Sequence, residues 1–321
     1  MKNKIILVGG DPNSINSEII FKSWKKLNIN VKKNTYLIAN FELIKSQRKK
    51  LKFKTKIVKV KNLNDKSLKN SLKIIDVPLN FKNSFNVDEL QSSKYVLKCL
   101  ALAHKFGEYK NTRGIINCPI NKKLLKNSNK IGVTEYFASR SNVYDGSEVM
   151  MIYNKKLSVV PITTHIPIKK VSKKISSTLI VKKIVNLNHY FRKFLKKKPK
   201  IGMLGLNPHI GELDKDSEEI NTIIPAIRKL KRKGINIQGP FSADTVFINN
   251  YKKYNVIVGM YHDQVLGPFK TLFQYDAINV TLGLNYLRVS PDHGPASNLI
   301  YKDQGNYQSL LQCFKFISKV G

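Results

Sequence analysis

Short apolar, β-branched runs alternate with helical segments along nearly the whole chain, and this alternation restricts the fold more than any other feature. Residues 4–8 read as a buried strand that runs into Gly9-Gly10-Asp11 and then a helix over 16–27. Further strands are expected at 35–39, 55–60 and 73–77. Asn86, with Glu89 three residues on, reads as a capping box opening a helix that carries Leu90, Val96, Leu97, Leu100 and Ala101 on its apolar side and ends near Gly107. A strand over 113–118 follows. Beyond Gly132 the runs 149–153 and 157–162 flank Asn154-Lys155-Lys156, which predicts an antiparallel hairpin. A lysine-rich helix over 168–195, a strand at 201–206, a helix over 216–233, strands at 256–260 and 278–282 and a last helix over 307–320 complete the pattern. The expectation is an α/β fold whose sheets are mixed, because the hairpin interrupts the parallel alternation.

Composition bears on partners more than on fold. With 321 residues, 42% of them hydrophobic, the chain can build two cores despite a formal net charge of +36. Of the 57 basic residues only seven are arginine. Lysine is a point charge without the fork that reads phosphates and base edges, so no specific nucleic-acid partner is expected. The lysine-dense tracts 49–61 and 193–200 alternate with apolar residues and read as solvated faces. Cys99, Cys118 and Cys313 lie far apart, which leaves neither a disulfide framework nor a cysteine-rich zinc module. The apolar run at 5–8 is too short for a signal segment and no run is long enough to span a membrane, so a reduced, cytoplasmic protein with no membrane partner is expected.

Two nucleotide-binding signatures are absent: no GxGxxG follows a strand and there is no GxxxxGK[ST]. The histidines carry a clearer signal. His165, His209 and His262 each stand just past the end of an apolar strand, 44 and 53 residues apart. Any one of them alone would more often be a hydrogen-bonded loop residue. Repeated at three strand ends, where α/β sheets bind ligands, they form a candidate site for one divalent ion with open positions for water or substrate. Lys270, Asn279 and Arg288 follow the third histidine within an otherwise apolar stretch. Charge, amide and guanidinium fork together suit a phosphate- or carboxylate-bearing substrate.

The segments Thr163-Thr-His-Ile-Pro167, Gly205-Leu-Asn-Pro-His-Ile-Gly-Glu212, Gly239-Pro-Phe-Ser-Ala-Asp-Thr-Val-Phe247, Met260-Tyr-His-Asp-Gln264 and Asn279-Val-Thr-Leu-Gly283, with Arg288 and Asp292-His-Gly294, resemble the motifs of the 4-hydroxythreonine-4-phosphate dehydrogenase family of pyridoxal phosphate (vitamin B6) biosynthesis. The resemblance implies a two-domain α/β fold like that of isocitrate and isopropylmalate dehydrogenases, with mixed sheets, a cleft between the domains and an NAD site that is not of the GxGxxG kind. On that pattern residues 1–136 with 290–321 form the first domain and 137–289 the second, which carries the metal-binding histidines. It implies metal ligands at His165, His209 and His262, substrate contacts at Thr134, Lys270, Asn279 and Arg288, and a homodimer that completes the metal site across its interface. The implied reaction oxidises the C3 hydroxyl of 4-phosphohydroxy-L-threonine with NAD or NADP and then releases carbon dioxide. Zinc, cobalt, manganese or magnesium is the implied ion, and Lys270 or Asp244 is the candidate for proton transfer.

This chain departs from the family pattern at several points. The family's Gly-His-Thr-Glu reads Gly132-Val133-Thr134-Glu135, its Pro-Val-His-Lys reads Pro119-Ile120-Asn121-Lys122, its Gly-rich N-terminal loop reads Gly10-Asp-Pro-Asn-Ser-Ile-Asn-Ser-Glu18, and its His-Gly-Thr-Ala reads His293-Gly-Pro-Ala296. A sister dehydrogenase acting on a four-carbon sugar-acid 4-phosphate of the threonate or erythronate type tolerates the change at Val133 and is the alternative within the class. A basic nucleic-acid-associated protein on a retired enzyme scaffold is the alternative outside it, and it leaves the histidine trio unexplained.

Overall fold

In the computed structural model, which describes residues 3–65, 70–128, 132–143, 146–248 and 250–320, the chain folds as two compact units. The first comprises 1–141 with 285–321 and the second 142–284. The divide falls after the helix Val133–Arg140, where the sequence pattern had cut it at 136/137, and ahead of the strand that begins at Arg288, which therefore belongs to the first unit.

In the first unit the strands are β1 (Lys4–Val8), β2 (Thr35–Ala39), β3 (Ile57–Val60), β4 (Leu72–Asp76), β5 (Thr112–Asn117) and β12 (Arg288–Pro291), in the order β3-β4-β2-β1-β5-β12. Every pairing among them is parallel. Ile5 to Val8 are buried without alternation, as expected of a strand covered on both faces. The covering helices are α1 (Asn16–Lys26), α2 (Ile29–Asn34), α3 (Phe41–Lys50), α4 (Glu89–Gly107), α5 (Val133–Arg140) and α11 (Gln308–Lys319). The capping box expected at Asn86 is not the start of α4. Asp88 is the N-cap, its carboxylate accepting the Gln91 N–H at 3.0 Å, while Asn86 closes a turn onto the Asn83 carbonyl. Asp88 stands directly before the first helical residue, where its carboxylate reaches the third N–H of the helix.

In the second unit the strands are β6 (Val149–Tyr153), β7 (Ser158–Pro161), β8 (Ile201–Leu204), β9 (Ile237–Phe241), β10 (Val256–Gly259) and β11 (Ile278–Leu282), in the order β11-β6-β7-β10-β8-β9. Strands β11, β6 and β7 pair antiparallel, whereas β7, β10, β8 and β9 run parallel. The hairpin read at Asn154-Lys155-Lys156 is β6–β7. Helices α6 (Val171–Lys174), α7 (Ser177–Leu195), α8 (Ile224–Arg232), α9 (Ala243–Val246) and α10 (His262–Phe273) complete the unit. The long helix expected over 168–195 is interrupted, because the Ser176 hydroxyl accepts the Leu179 N–H at 3.2 Å and starts α7 afresh. The helix expected over 216–233 begins instead with a π turn, Glu219–Ile223, before α8. β9 and β12 went unread because Gln-Gly-Pro-Phe carries turn residues and β12, Arg-Val-Ser-Pro, has a single apolar strand former and ends in proline.

Candidate active site

β7, β10 and β8 lie side by side and parallel, so their carboxyl ends share one edge of the sheet. The loops leaving Pro161, Gly259 and Leu204 lead to His165, His262 and His209. The His165 and His262 rings stand 5.9 Å apart between centroids, inclined at 41°. His262 is the first residue of α10, and its Nδ1 lies 3.0 Å from Asp263 Oδ1.

His209 arrives on a different backbone. Residues His209, Ile210, Gly211 and Glu212 have φ of 48°, 58°, 63° and 45°, a complete left-handed turn. For each non-glycine residue that conformation costs about 1–2 kcal/mol. Glu219 offsets the cost: it is fully buried, and its carboxylate accepts the Leu206 N–H at 2.6 Å, the Asn207 N–H at 2.9 Å and Asn207 Nδ2 at 2.9 Å. Burial pushes this carboxyl up, but the hydrogen bonds from Asn207 and Leu206 outweigh it and hold the group below its ordinary value. A side chain at Gly211 would place a Cβ 3.0 Å from Glu219 Oε2, so the tight turn depends on glycine there. At the turn's outer side, the His209 side chain is 70% exposed and its Nε2 is 3.9 Å from Asp244 Oδ2. The Ser242 hydroxyl donates to Asp244 Oδ1 at 2.6 Å and is the first cause of that carboxyl's lowered pKa.

This donor set suits a divalent ion. Three imidazoles on one sheet edge are borderline nitrogen ligands of the kind zinc, cobalt, nickel or manganese accept. His165 and His262 already stand together, while His209 faces Asp244, and among the described residues no three His, Cys, Asp or Glu side chains converge as a finished cage.

Lys270 lies on α10 two turns beyond His262 and on the same helical stripe, roughly 12 Å along the axis. Asn279 is on β11 opposite Ile152, and its Oδ1 is buried with no hydrogen-bond partner among the described residues. A buried amide oxygen in that state is an acceptor awaiting a donor.

Arg288 and Thr134 belong to the first unit. Arg288 pairs with Ile115 at the start of β12, so Asn117, two residues along β5, lies on the same face one diagonal step away. Arg288 Nε donates to Asn117 Oδ1 at 2.6 Å and Nη1 to Thr134 Oγ1 at 3.2 Å, with the guanidinium 5.9 Å from the Phe137 ring centre. The side chain is buried, which pulls its pKa down to about 10, with the Glu135 charge opposing. The bonds to Asn117 and Thr134 fix the guanidinium on the first unit, with the Glu135 charge acting on it as well. Where the family pattern has histidine, Val133 is the first residue of α5, and Asn121 accepts the Lys123 N–H at 3.1 Å.

Three residues that shape these sites carried no role in the sequence reading. Asn117 ends an apolar strand with an amide, Gln264 stands within the polar cluster after His262, and Glu219 is one of only 21 acidic residues. Gln264 closes the motif Met260–Gln264 and the other two lie outside the motifs, and the partner of each is set by strand neighbours that the sequence does not display.

An α/β unit with a histidine edge and a second α/β unit with a buried, hydrogen-bonded arginine are features of an enzyme fold. The family described as pyridoxal phosphate biosynthetic protein PdxA matches residues 31–317. A 4-hydroxythreonine-4-phosphate dehydrogenase of Sulfurihydrogenibium sp. (strain YO3AOP1) is 37% identical over 315 residues, covering 96% of this chain and 95% of its own. A Salmonella typhi protein named as a D-threonate 4-phosphate dehydrogenase is 32% identical over 248 residues, 75% of each chain. Among solved structures, the 4-hydroxythreonine-4-phosphate dehydrogenase of Klebsiella pneumoniae superposes with a TM-score of 0.86 at 26% identity over 99% of both chains. The chain belongs to the PdxA family, and it is an oxidoreductase.

Proposed function

We propose that the protein is an NAD- and divalent-metal-dependent dehydrogenase that converts 4-phosphohydroxy-L-threonine to 3-amino-2-oxopropyl phosphate and carbon dioxide, acting as a cytoplasmic homodimer whose second subunit completes the metal site. The observation that carries this reading is the placement of His165, His209 and His262 at one end of three neighbouring parallel strands in a chain of this family. Those three residues would hold the ion. When bound, a divalent ion acidifies the substrate hydroxyl and stabilises the negative charge left as carbon dioxide departs.

The remaining steps rest on the chain's own groups. Arg288, held by Asn117 and Thr134, grips an anionic group of the substrate through its fork. Asn279 Oδ1 accepts a hydrogen bond from a substrate N–H or O–H. Asp244, its carboxyl already below the usual range, is ionised at neutral pH and is one candidate to take the hydroxyl proton; a bound nicotinamide would supply the hydride acceptor. Lys270 is the other candidate for proton transfer and would return a proton to carbon once the C–C bond has broken.

The test is NADH formation from 4-phosphohydroxy-L-threonine, measured against D-threonate and D-erythronate 4-phosphates. The proposal expects the amino-acid substrate to be preferred at least tenfold in kcat/KM, and its failure to turn over would refute it. The sugar-acid reading is kept as the second arm because of the threonate-named relative and of Val133 where the family pattern has histidine.

A further inference from the structure

Past the last ladder hydrogen bonds of β7, β10 and β8, the loops that carry the three histidines are tied to one another by a short chain of polar contacts centred on one side chain. Gln264, two residues beyond His262 on α10, uses both ends of its carboxamide on backbone. Its Oε1 accepts the Met260 N–H at 2.7 Å, and its Nε2 donates to the Gly205 carbonyl at 2.8 Å. Met260 directly follows β10 on the way to His262, and Gly205 directly follows β8 on the way to His209. The link extends in both directions. The Met260 carbonyl accepts the Thr163 N–H at 3.1 Å and the Thr163 hydroxyl at 2.7 Å, on the segment that leads from β7 to His165. The Gly205 N–H donates to the Phe241 carbonyl at 3.0 Å, at the end of β9 just before Asp244.

The room for this clamp is built into the backbone. A Cβ on Gly259 would lie 2.8 Å from Gln264 Oε1 and 2.6 Å from Val265 Cγ1, so a larger residue at the end of β10 would displace the amide. A glutamine fits the clamp where its relatives do not. Glutamate would keep the acceptor for Met260 but set an oxygen against the Gly205 carbonyl, asparagine is one methylene short, and leucine offers no polar atom.

We infer that Gln264 is a positioning residue: by fixing the distance between the strand ends at Gly205 and Met260, and through Met260 the strand end at Thr163, it sets the spacing at which His209, His262 and His165 meet one ion. The inference rests on the reading of those histidines as ligands. Groups that orient ligands without touching the ion typically control affinity by 10- to 100-fold.

Titration of the full-length protein with Co²⁺, followed by its visible absorption, tests this in the wild type, Gln264→Glu, Gln264→Leu and His262→Ala. Gln264→Glu preserves side-chain volume and the Met260 acceptor, so it reports even if Gln264→Leu fails to fold. The expected result is a Co²⁺ dissociation constant raised roughly 10- to 100-fold in Gln264→Glu, with an altered absorption band and a thermal midpoint close to that of the wild type. Wild-type Co²⁺ affinity and spectrum in a folded Gln264→Glu, while His262→Ala has lost binding, would overturn the role of Gln264. Wild-type affinity in His262→Ala would overturn the ligand reading itself.

Discussion

Arg288 and His209 both serve a candidate site, yet the protein treats them in opposite ways. Arg288 is 3% exposed, fixed through Nε and Nη1 by two neutral oxygens and backed by an aromatic ring. His209 has a side chain 70% exposed on a left-handed turn, with Asp244 Oδ2 3.9 Å from its Nε2. The arginine pocket is finished when the chain folds, because the donors of a buried guanidinium must be satisfied there. At the histidine edge the backbone is held by Glu219 and Gln264, while the His209 side chain stands exposed. On the proposed reading, substrate charge would meet a fixed guanidinium and the ion would meet ligands presented by a held backbone.

The largest effect is expected from Arg288→Ala. Removing a buried, hydrogen-bonded cation costs on the order of 2–5 kcal/mol in anion binding, so kcat/KM should fall at least about 30-fold, chiefly through KM for the phosphorylated substrate. Steady-state kinetics check this, and an unchanged KM would break the comparison on the arginine side. Next comes Glu219→Ala, which strands the N–H groups of Leu206 and Asn207 and should destabilise the chain by about 2–3 kcal/mol in denaturant unfolding. His209→Ala should show the inverse pattern, with stability within about 0.5 kcal/mol of the wild type but ion binding lost, as measured by metal content after dialysis. Equal destabilisation by the two substitutions would mean that the imidazole is part of the scaffold.

The smallest effect sharpens the contrast within the first unit, which buries a second cation. Lys73 is 2% exposed, its ammonium 4.5 Å from the Tyr36 ring centre and bonded to the Lys33 carbonyl, and burial lowers its pKa from 10.5 to about 8. Between those values the unfolded chain keeps a proton that the folded chain has released, so this group's contribution raises stability as pH climbs from about 8 to 10.5. Thermal midpoints of the wild type minus those of Lys73→Met should therefore rise across that window. A flat difference would show that Lys73 keeps its proton across that window.

Much of the architecture is legible in the sequence because burial on both faces writes continuous apolar runs, and β1, β2 and β10 carry them. The hairpin β6–β7 is equally plain, with two apolar strands around a polar turn. What does not show is anything that depends on strand order. Gln264 and Gly205 are 59 residues apart and meet only because β10 lies beside β8; Arg288 and Asn117 are 171 apart and meet because β12 lies beside β5. The left-handed turn at His209 is hidden for a different reason: of its four residues only Gly211 favours positive φ, and a buried carboxylate ten residues on supplies the compensation. The net charge of +36, the loudest feature of the composition, is carried mainly by lysines.

The claim on which the account turns is that three strand ends present one ion to His165, His209 and His262. Anomalous diffraction at the cobalt edge, from crystals of the full chain grown with Co²⁺, tests it most directly. The account predicts one strong peak per chain, roughly 2.0–2.2 Å from a nitrogen of each imidazole. A protein that oxidises its substrate with cobalt present but shows no peak at these histidines, or a peak held by other residues, would contradict it.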